Sequence, residues 1–491
     1  MNCELNKDFI NSHLNDDVNK LALSKFPEGV DKDFVIRQIQ ARQILKKKLP
    51  SWSENDELIF PKRLSLEQCS SELTAKYKAL VTELVEVYNT TSCLRQAQTP
   101  DFQSVQTNIS ANSCQFVEEK KTLVDLTGGM GVDTSFLSDD FEKTFYVEMQ
   151  EELCEIAKHN FRVLNKNIEV INDNAEHFLE NCPEVDCIYL DPARRDEYGR
   201  KMVSLHDCSP DVAELQDLLL KKAKTVIVKL SPMLDIDIIK KELKNIKEIH
   251  VVAVRNECKE VLVVLGQRTT DNGQQVLFCE LRTGDMEREP ELVEGTCDFG
   301  TSTGSVTEEN DSQPLHLYTF ATDLKENWNI TFVEDEEQNA QWTLADEIGK
   351  YLYEPGVACM KAGCFKLLSQ RFNIKKLHRN SHLYTSDELV ADFPGRIFEV
   401  VDVFPFDKKV KKEISLRCQQ TTDNRQQTLS SYCSKLEARS SQPKASVAVR
   451  NFPISADELR KQLGVKDGND YYIFGTTMKG EKKIVVLGVR N

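Results

Sequence analysis

Hydrophobic positions change period along this chain. Up to about residue 90 they recur at helical spacing. Asp33 can cap a segment carrying Phe34, Ile36, Ile39, Ile44 and Leu45 that Pro50 ends. Ser65 with Gln68 fits a capping box opening the next helix. From Thr122 to Gly266 short apolar runs alternate with helical ones. Strands are predicted over 122–126, 144–148, 168–172, 185–190, 225–230, 249–254 and 260–265. The first five alternate with helices, which favours a parallel sheet. Only Arg-Asn-Glu-Cys-Lys separates the last two, so they should form an antiparallel hairpin. The expected fold is therefore α/β: a Rossmann-like sheet of five parallel strands plus an antiparallel hairpin. A dinucleotide-binding sheet would continue βαβ at that point.

Four further regions complete the pattern. Residues 1–90 form an N-terminal helical region, and 91–116 a polar, aperiodic insertion before the domain at 117–268. Short strands within 276–335 suit a small α+β domain. Over 336–491 two similar βα halves are expected, interrupted by a polar insertion near 413–445. Pro355 is placed to start a helix in the first half, and Ser455 with Glu458 fits a capping box in the second. The polar tracts share a word, TTDNGQQ at 269–275 and TTDNRQQ at 421–427, too short to be a structural repeat.

At 491 residues the chain exceeds what one hydrophobic core serves. It lacks an apolar run long enough to span a membrane, and its first residues, MNCELNKDFINSHLNDD, lack a signal core; a cytoplasmic protein is expected. Its 15 cysteines are then reduced thiols. Cys359 and Cys364 come nearest to a metal pair, but no second pair completes a zinc site, so no metal is expected. The net charge of −16 argues against nonspecific coating of nucleic acid and leaves room for a local basic face.

Chemistry collects where strands end. Asp125-Leu126-Thr127-Gly128-Gly129-Met130-Gly131 follows the first strand and opens a helix. Its glycines let a ligand approach the backbone, and Asp125 can accept a bond from a cationic or amino group. Thr134 stands where a dinucleotide fingerprint wants a third glycine. Glu148 ends the second strand, where a carboxylate can accept both ribose hydroxyls. Asp173 and Asn174 close the third; either can bond an adenine amine or cap the helix that follows. Asp191-Pro192-Ala193-Arg194-Arg195 closes the fourth. Pro192 fixes the backbone there, and Asp191 with its local carbonyls can accept an N–H of an acceptor base. Arg194 and Arg195 can hold phosphate or pair with Asp196 or Glu197.

In order, DLTGGMG, YVE, NDNAEHFL, YLDPARRD and VKLSPMLD resemble a class I methyltransferase. With EQCSSELTAKYKA and VRNFPISADELRKQLGVKDGNDYYIFGTT the chain is similar to bacterial methyltransferases carrying a small ferredoxin-like domain and a C-terminal THUMP-like domain. The resemblance places the ferredoxin-like domain at 276–335 and the THUMP-like domain at 336–491. It implies S-adenosylmethionine as cofactor, held by Asp125, Thr127, Gly128, Gly129, Gly131, Glu148, Asp173 and Asn174. It implies Asp191, Pro192 and Arg194 as the catalytic set, and its THUMP-like module implies RNA. Asn174 departs from the usual acid of an Asp-Ala word, which leaves the adenine contact open. Asp-Pro-Ala-Arg departs from Asp/Asn-Pro-Pro-Tyr/Phe and leaves the acceptor atom open. The alternatives are a methyltransferase for a protein or small molecule whose C-terminal half docks or dimerises, and a non-catalytic RNA-binding adaptor. Arg194 and Arg195 at the crevice, with Lys375, Lys376, His378 and Arg379 and with Lys461 and Lys466, are the basic residues expected to meet RNA.

Overall fold

The computed structural model describes residues 3–82, 121–194, 204–266, 278–279, 294–295, 317–414, 416–417 and 444–490. The polar tracts at 92–114 and 418–442, both TTDN words and Arg195 lie outside the described residues. The chain divides into two compact units, Met1–Ile249 with Glu260–Cys279 and Glu294–Leu315, and His250–Lys259 with Glu280–Val293 and His316–Asn491.

The first unit opens with α1 (Cys3–Ser12), α2 (Val18–Ala22), α3 (Lys32–Leu45), α4 (Pro50–Ser53), α5 (Arg63–Gln68) and α6 (72–82). Three capping expectations are corrected. Asp31, not Asp33, caps α3, accepting the Phe34 N–H at 3.1 Å. Pro50 starts α4 rather than ending α3, because proline's missing N–H costs nothing in a first turn. Ser65 lies inside α5, and the chain breaks at Cys69 before Ser71 bonds the Thr74 N–H at the start of α6. Ala41, Leu45, Leu49, Trp52, Phe60 and Ala75 from these helices and their connections share one core cluster with Met130 of the glycine turn and Val132 at the start of α7. The helices thus back the turn directly.

The sheet follows: β1 (Thr122–Asp125), α7 (Val132–Leu137), β2 (Lys143–Glu148), α8 (Glu151–Val163), β3 (Ile168–Asn172), α9 (Ala175–Asn181), β4 (Val185–Leu190), α10 (Val212–Lys222), β5 (Ala223–Leu230), α11 (Ile236–Glu242), β6 (Ile246–Val254) and β7 (Glu257–Gly266). Strand order is β6-β7-β5-β4-β1-β2-β3. β1 to β5 pair in parallel, and β7 pairs antiparallel with β5. The five parallel strands and the hairpin expected from the sequence are present. Arg255 and Asn256 both hold positive φ between β6 and β7, as a tight two-residue hairpin turn requires. β1, β4 and β5 are apolar nearly throughout, because helices cover both faces of a parallel sheet.

In the second unit β8 (Tyr318–Asp323) and β9 (Trp328–Val333) form a hairpin. The Asp323 carboxylate accepts the Arg255 N–H at 3.0 Å and the Asn256 N–H at 2.5 Å. After α12 (Glu334–Asn339) come β10 (Tyr351–Pro355), α13 (Val357–Ala362), α14 (Phe365–Arg371), β11 (Lys375–Lys376), β12 (Tyr384–Ser386), β13 (Gly395–Pro405), β14 (Lys444–Arg450), α15 (Ala456–Leu463), β15 (Lys466–Met478) and β16 (Lys482–Arg490). They build a sheet of order β11-β12-β10-β13-β16-β15-β14, antiparallel except for β14 with β15. Ser455 and Glu458 form the expected capping box. Two expectations are corrected. Pro355 ends β10, and the predicted single helix splits at Gly363, whose φ is +84°. The stretch 387–394 is not helical: Ser386 bonds the Glu388 carbonyl at 2.5 Å and Tyr353 donates to the same oxygen, which spends that carbonyl outside a helix. Among the described residues no helix is long and apolar enough to cross a membrane.

Candidate functional site

Strand ends β1, β2 and β4 converge on the glycine turn. Gly128 packs under Tyr146, where a Cβ would come within 2.1 Å of the ring. Gly131 holds φ +81° and starts α7. At Gly129 a Cβ would meet only the Thr127 carbonyl, at 3.8 Å, so the turn faces open space there. Tyr146 donates to the Gly129 carbonyl at 2.6 Å, which fixes the turn from below.

Asp125 is spent on the turn itself. It is buried, accepting the Thr127 N–H at 3.0 Å and the Thr134 hydroxyl at 2.5 Å. Burial pushes its carboxyl up to about 7, against the opposing pull of those two bonds. Glu148 accepts the Gly129 N–H at 3.0 Å through one oxygen and the Gln150 N–H at 2.9 Å through the other. Each oxygen keeps a second lone pair, enough for two ribose hydroxyls. Met149 follows it with 73% exposure. Asn172 holds that corner by donating to the carbonyls of Glu148 and Met149 at 2.9 and 3.1 Å.

The ambiguity at 173–174 takes a definite form. Asn174 is the cap of α9, accepting the His177 N–H at 2.8 Å. Asp173 accepts the Asn174 N–H at 2.8 Å and pairs with His177 Nδ1 at 2.7 Å, which lowers its pKa and raises that of His177. Each of these oxygens accepts one bond, so both Asp173 and Asn174 keep a lone pair toward this corner.

At β4 the Asp191 N–H donates to the Thr127 hydroxyl at 2.6 Å, tying the two loops together. β4 and β5 pair in register with Leu190 opposite Val228, so Asp191, just past the end of β4, stands beside Lys229 of β5. Lys229 Nζ pairs with one Asp191 oxygen at 2.5 Å. Pro192 is half-buried behind them. Arg194 pairs through its backbone with Cys208 in a two-stranded ribbon; its side chain lies outside the described residues.

Behind Asp191 lies a charge cluster that pattern reading missed. Asp133, on the first turn of α7, accepts the Tyr189 hydroxyl at 2.7 Å and the Ser70 hydroxyl at 2.8 Å. Lys78 of α6 is fully buried, 3.3 Å from Asp133 and 2.9 Å from Glu260. Burial would raise Asp133, but Lys78 and Lys229 hold it below the usual range. Burial would lower Lys229, but Asp191, Asp133 and Glu260 hold it above its ordinary value. Glu260, pushed up by burial, is opposed by Lys78. A lysine inside the apolar run TVIVKL and a glutamate opening EVLVVL were the available signals.

In the second unit the expected basic segment divides. Lys375 and Arg379 are exposed, but Lys376 and His378 are buried, so those two are corrected from surface contacts to interior groups. Lys376 Nζ lies 5.1, 5.7 and 5.8 Å from the rings of Trp342, Phe365 and Tyr384, a cation–π enclosure. His378 bonds Glu481 at 3.1 Å and Asn451 at 2.9 Å. Cys359 and Cys364 are free buried thiols.

A ferredoxin-like domain model matches residues 351–394, and a THUMP domain-like model residues 395–490. The first falls downstream of residues 276–335, where the resemblance placed it. Its β10, α13, α14 and β12 read as part of the C-terminal domain because β13 continues the same sheet. No curated protein matches the chain. Over its length the fold is similar to a candidate methyltransferase from Porphyromonas gingivalis W83, with 27% identity, 99% of this chain and 97% of that one covered, and a TM-score of 0.68. An rRNA methylase from Streptococcus thermophilus matches 30% of this chain and 89% of its own at 17% identity and TM-score 0.24. A Streptococcus mutans protein in complex with SAH matches 29% and 86% at 15% identity and TM-score 0.23. The chain carries a class I methyltransferase fold followed by a ferredoxin-like and a THUMP-like domain, the domain set of the bacterial methyltransferases it resembles in sequence.

Proposed function

We propose that this protein is an S-adenosylmethionine-dependent methyltransferase acting on a nitrogen of an RNA base. The observation that carries the reading is the Thr127 bridge. One turn offers Gly129 and Glu148 to a nucleoside, and Thr127 fastens that turn to the loop presenting Asp191. The residues fit the cofactor: open space at Gly129, spare lone pairs on Glu148, an exposed Met149 for the adenine face and Asp173 at its edge. When bound, the cofactor supplies a sulfonium methyl that needs no further activation. The chain's own task is then alignment, which supplies much of the rate in such transfers. Lys229 occupies one Asp191 oxygen and leaves the other to accept an N–H, turning the acceptor's nitrogen lone pair toward the methyl. RNA as substrate class rests on the THUMP-like domain.

Burial of Lys376 and His378 favours a second reading, a protein or small-molecule acceptor, because it removes half of the expected basic segment. Three measurements test these readings. By calorimetry S-adenosylhomocysteine should bind, and Glu148→Ala should weaken it about tenfold. Tighter binding of NAD would sink the cofactor. Asp191→Ala should keep that affinity and lose methyl incorporation by about a hundredfold or more. Mass spectrometry of RNA nucleosides from a deletion strain should show one methylated base missing. An unchanged nucleoside profile would move the acceptor to protein or small molecule.

A further inference from the structure

The charge cluster reaches well beyond what alignment of a loop requires. Lys78 and Glu260 are 0% and 4% exposed, Asp133 and Lys229 11% and 13%, and Asp191 37%. Exposure rises stepwise from the helical region to the catalytic edge. Each step is a contact: Lys78 to Glu260 at 2.9 Å, Lys78 to Asp133 at 3.3 Å, Lys229 to Asp133 at 4.0 Å and Lys229 to Asp191 at 2.5 Å. Burying four of these five charges for stability alone is a poor use of a core, since apolar side chains of similar size commonly do as well. The cluster's outlet is the residue that faces the acceptor.

We infer that Lys229 is a positioning residue for Asp191, and that Lys78 of the N-terminal helices holds Lys229 in place through Asp133. The inference rests on the methyltransferase reading above. Lys229 is anchored from behind, so its ammonium enters the crevice from one direction only. It fixes which Asp191 oxygen is spent and which is presented. Lys78 neutralises Glu260 and shares Asp133, so Asp133 can draw Lys229 inward without a second buried cation unpaired. The N-terminal helices are therefore part of the catalytic apparatus as well as a cushion for the glycine turn. Ser70 and Tyr189 complete Asp133's bonds and keep it from rotating.

The test is a double-substitution cycle. Methyl incorporation from labelled S-adenosylmethionine is measured on RNA from the deletion strain. Lys229→Gln should lower kcat about a hundredfold with S-adenosylhomocysteine affinity within threefold of wild type. In an Asp191→Asn background the same change should lower kcat less than threefold, because its effect passes through Asp191. Lys229→Arg, which keeps the charge, should recover at least a tenth of wild-type kcat. A hundredfold loss in both backgrounds would overturn the inference. A readout without turnover guards against misfolding and a silent assay. In protein labelled with nitrogen-15 lysine, the Lys229 ammonium should give a resonance protected from exchange. Asp191→Asn and Lys78→Met should each broaden it. If neither does, the relay is absent, even where S-adenosylhomocysteine binding shows the methyltransferase reading to hold. Failure of wild type to bind S-adenosylhomocysteine would instead strike that reading.

Discussion

Both units bury carboxylates among cations, but with opposite surplus. In the first, Asp133, Glu260 and Asp191 face Lys78 and Lys229, leaving one negative charge when all five are ionised. In the second, Glu354, its side chain 2% exposed, sits between Arg396 and Arg450, leaving one positive charge. In each case the surplus is what solvent sees. Asp191 is 37% exposed at the first site, and the two guanidiniums are 30% and 37% exposed at the second. An exposed carboxylate suits an N–H donor, and a pair of guanidiniums suits phosphate. The net charge of −16 therefore says little about either site, because local imbalance, not the total, decides what each can hold.

The comparison breaks first at Glu354. It is the single acid both arginines share, at 2.6 Å from Arg450. Glu354→Gln should destabilise the second unit by about 3 kcal/mol, the cost of stripping one partner from a buried ion pair. Urea titration followed by the fluorescence of Trp328 and Trp342 checks it, with S-adenosylhomocysteine affinity unchanged as the control. A loss under about 0.5 kcal/mol would show the arginines fully solvated and the two clusters unlike in kind.

A smaller effect tests the first unit. Among the described residues no cation pairs with Asp125, and burial raises its carboxyl from 3.8 to about 7. A raised acid favours the folded state at low pH, and that contribution is lost as pH rises through the folded value. Wild type should therefore lose stability relative to Asp125→Asn between pH 5.5 and 7.5, by about 2 kcal/mol. Chemical denaturation at the two pH values measures it. Parallel profiles for the two proteins would place Asp125 in a better-solvated setting than its burial implies.

How much of this was legible follows from what periodicity can carry. The seven strands of the first sheet were readable because apolar runs, helix spacing and glycine turns agree over Thr122 to Gly266. β3 and β4 fall on the expected residues, and the other ends differ by one to three. Glycine turn, Glu148 and Asp191 stand out because each ends a strand. Lys229 and Glu260 did not, because their meaning is a partner 38 to 182 residues away: Asp133, Asp191 and Lys78 are brought to them only by the fold. Asp31 against Asp33, and α5 breaking before α6, were settled by which side chain reaches a free N–H, which spacing alone leaves open. The boundary between the small domain and the THUMP-like domain was hidden because one sheet spans both matches.

The smallest effect concerns the segment NIKKLHRN, where four basic residues divide between interior and surface. Lys375 and Arg379 are exposed, while Lys376 is enclosed by rings and His378 is bonded to Glu481 and Asn451. Only exposed cations can release counterions on meeting RNA, each adding about 0.7–0.9 to the salt dependence. Lys375→Ala with Arg379→Ala should therefore lower the slope of log affinity against log salt by about 1.5, read by fluorescence anisotropy with unfractionated tRNA. Lys376→Met should leave that slope alone and lower the second unit's stability instead, because it removes a cation from three rings. If Lys376→Met flattens the slope as the double variant does, the lysine leaves its enclosure on binding. If neither variant changes it, the outward surplus at Arg396 and Arg450 is left as the contact to test, and the opposed charges of the two units become the sharper guide to where RNA lies.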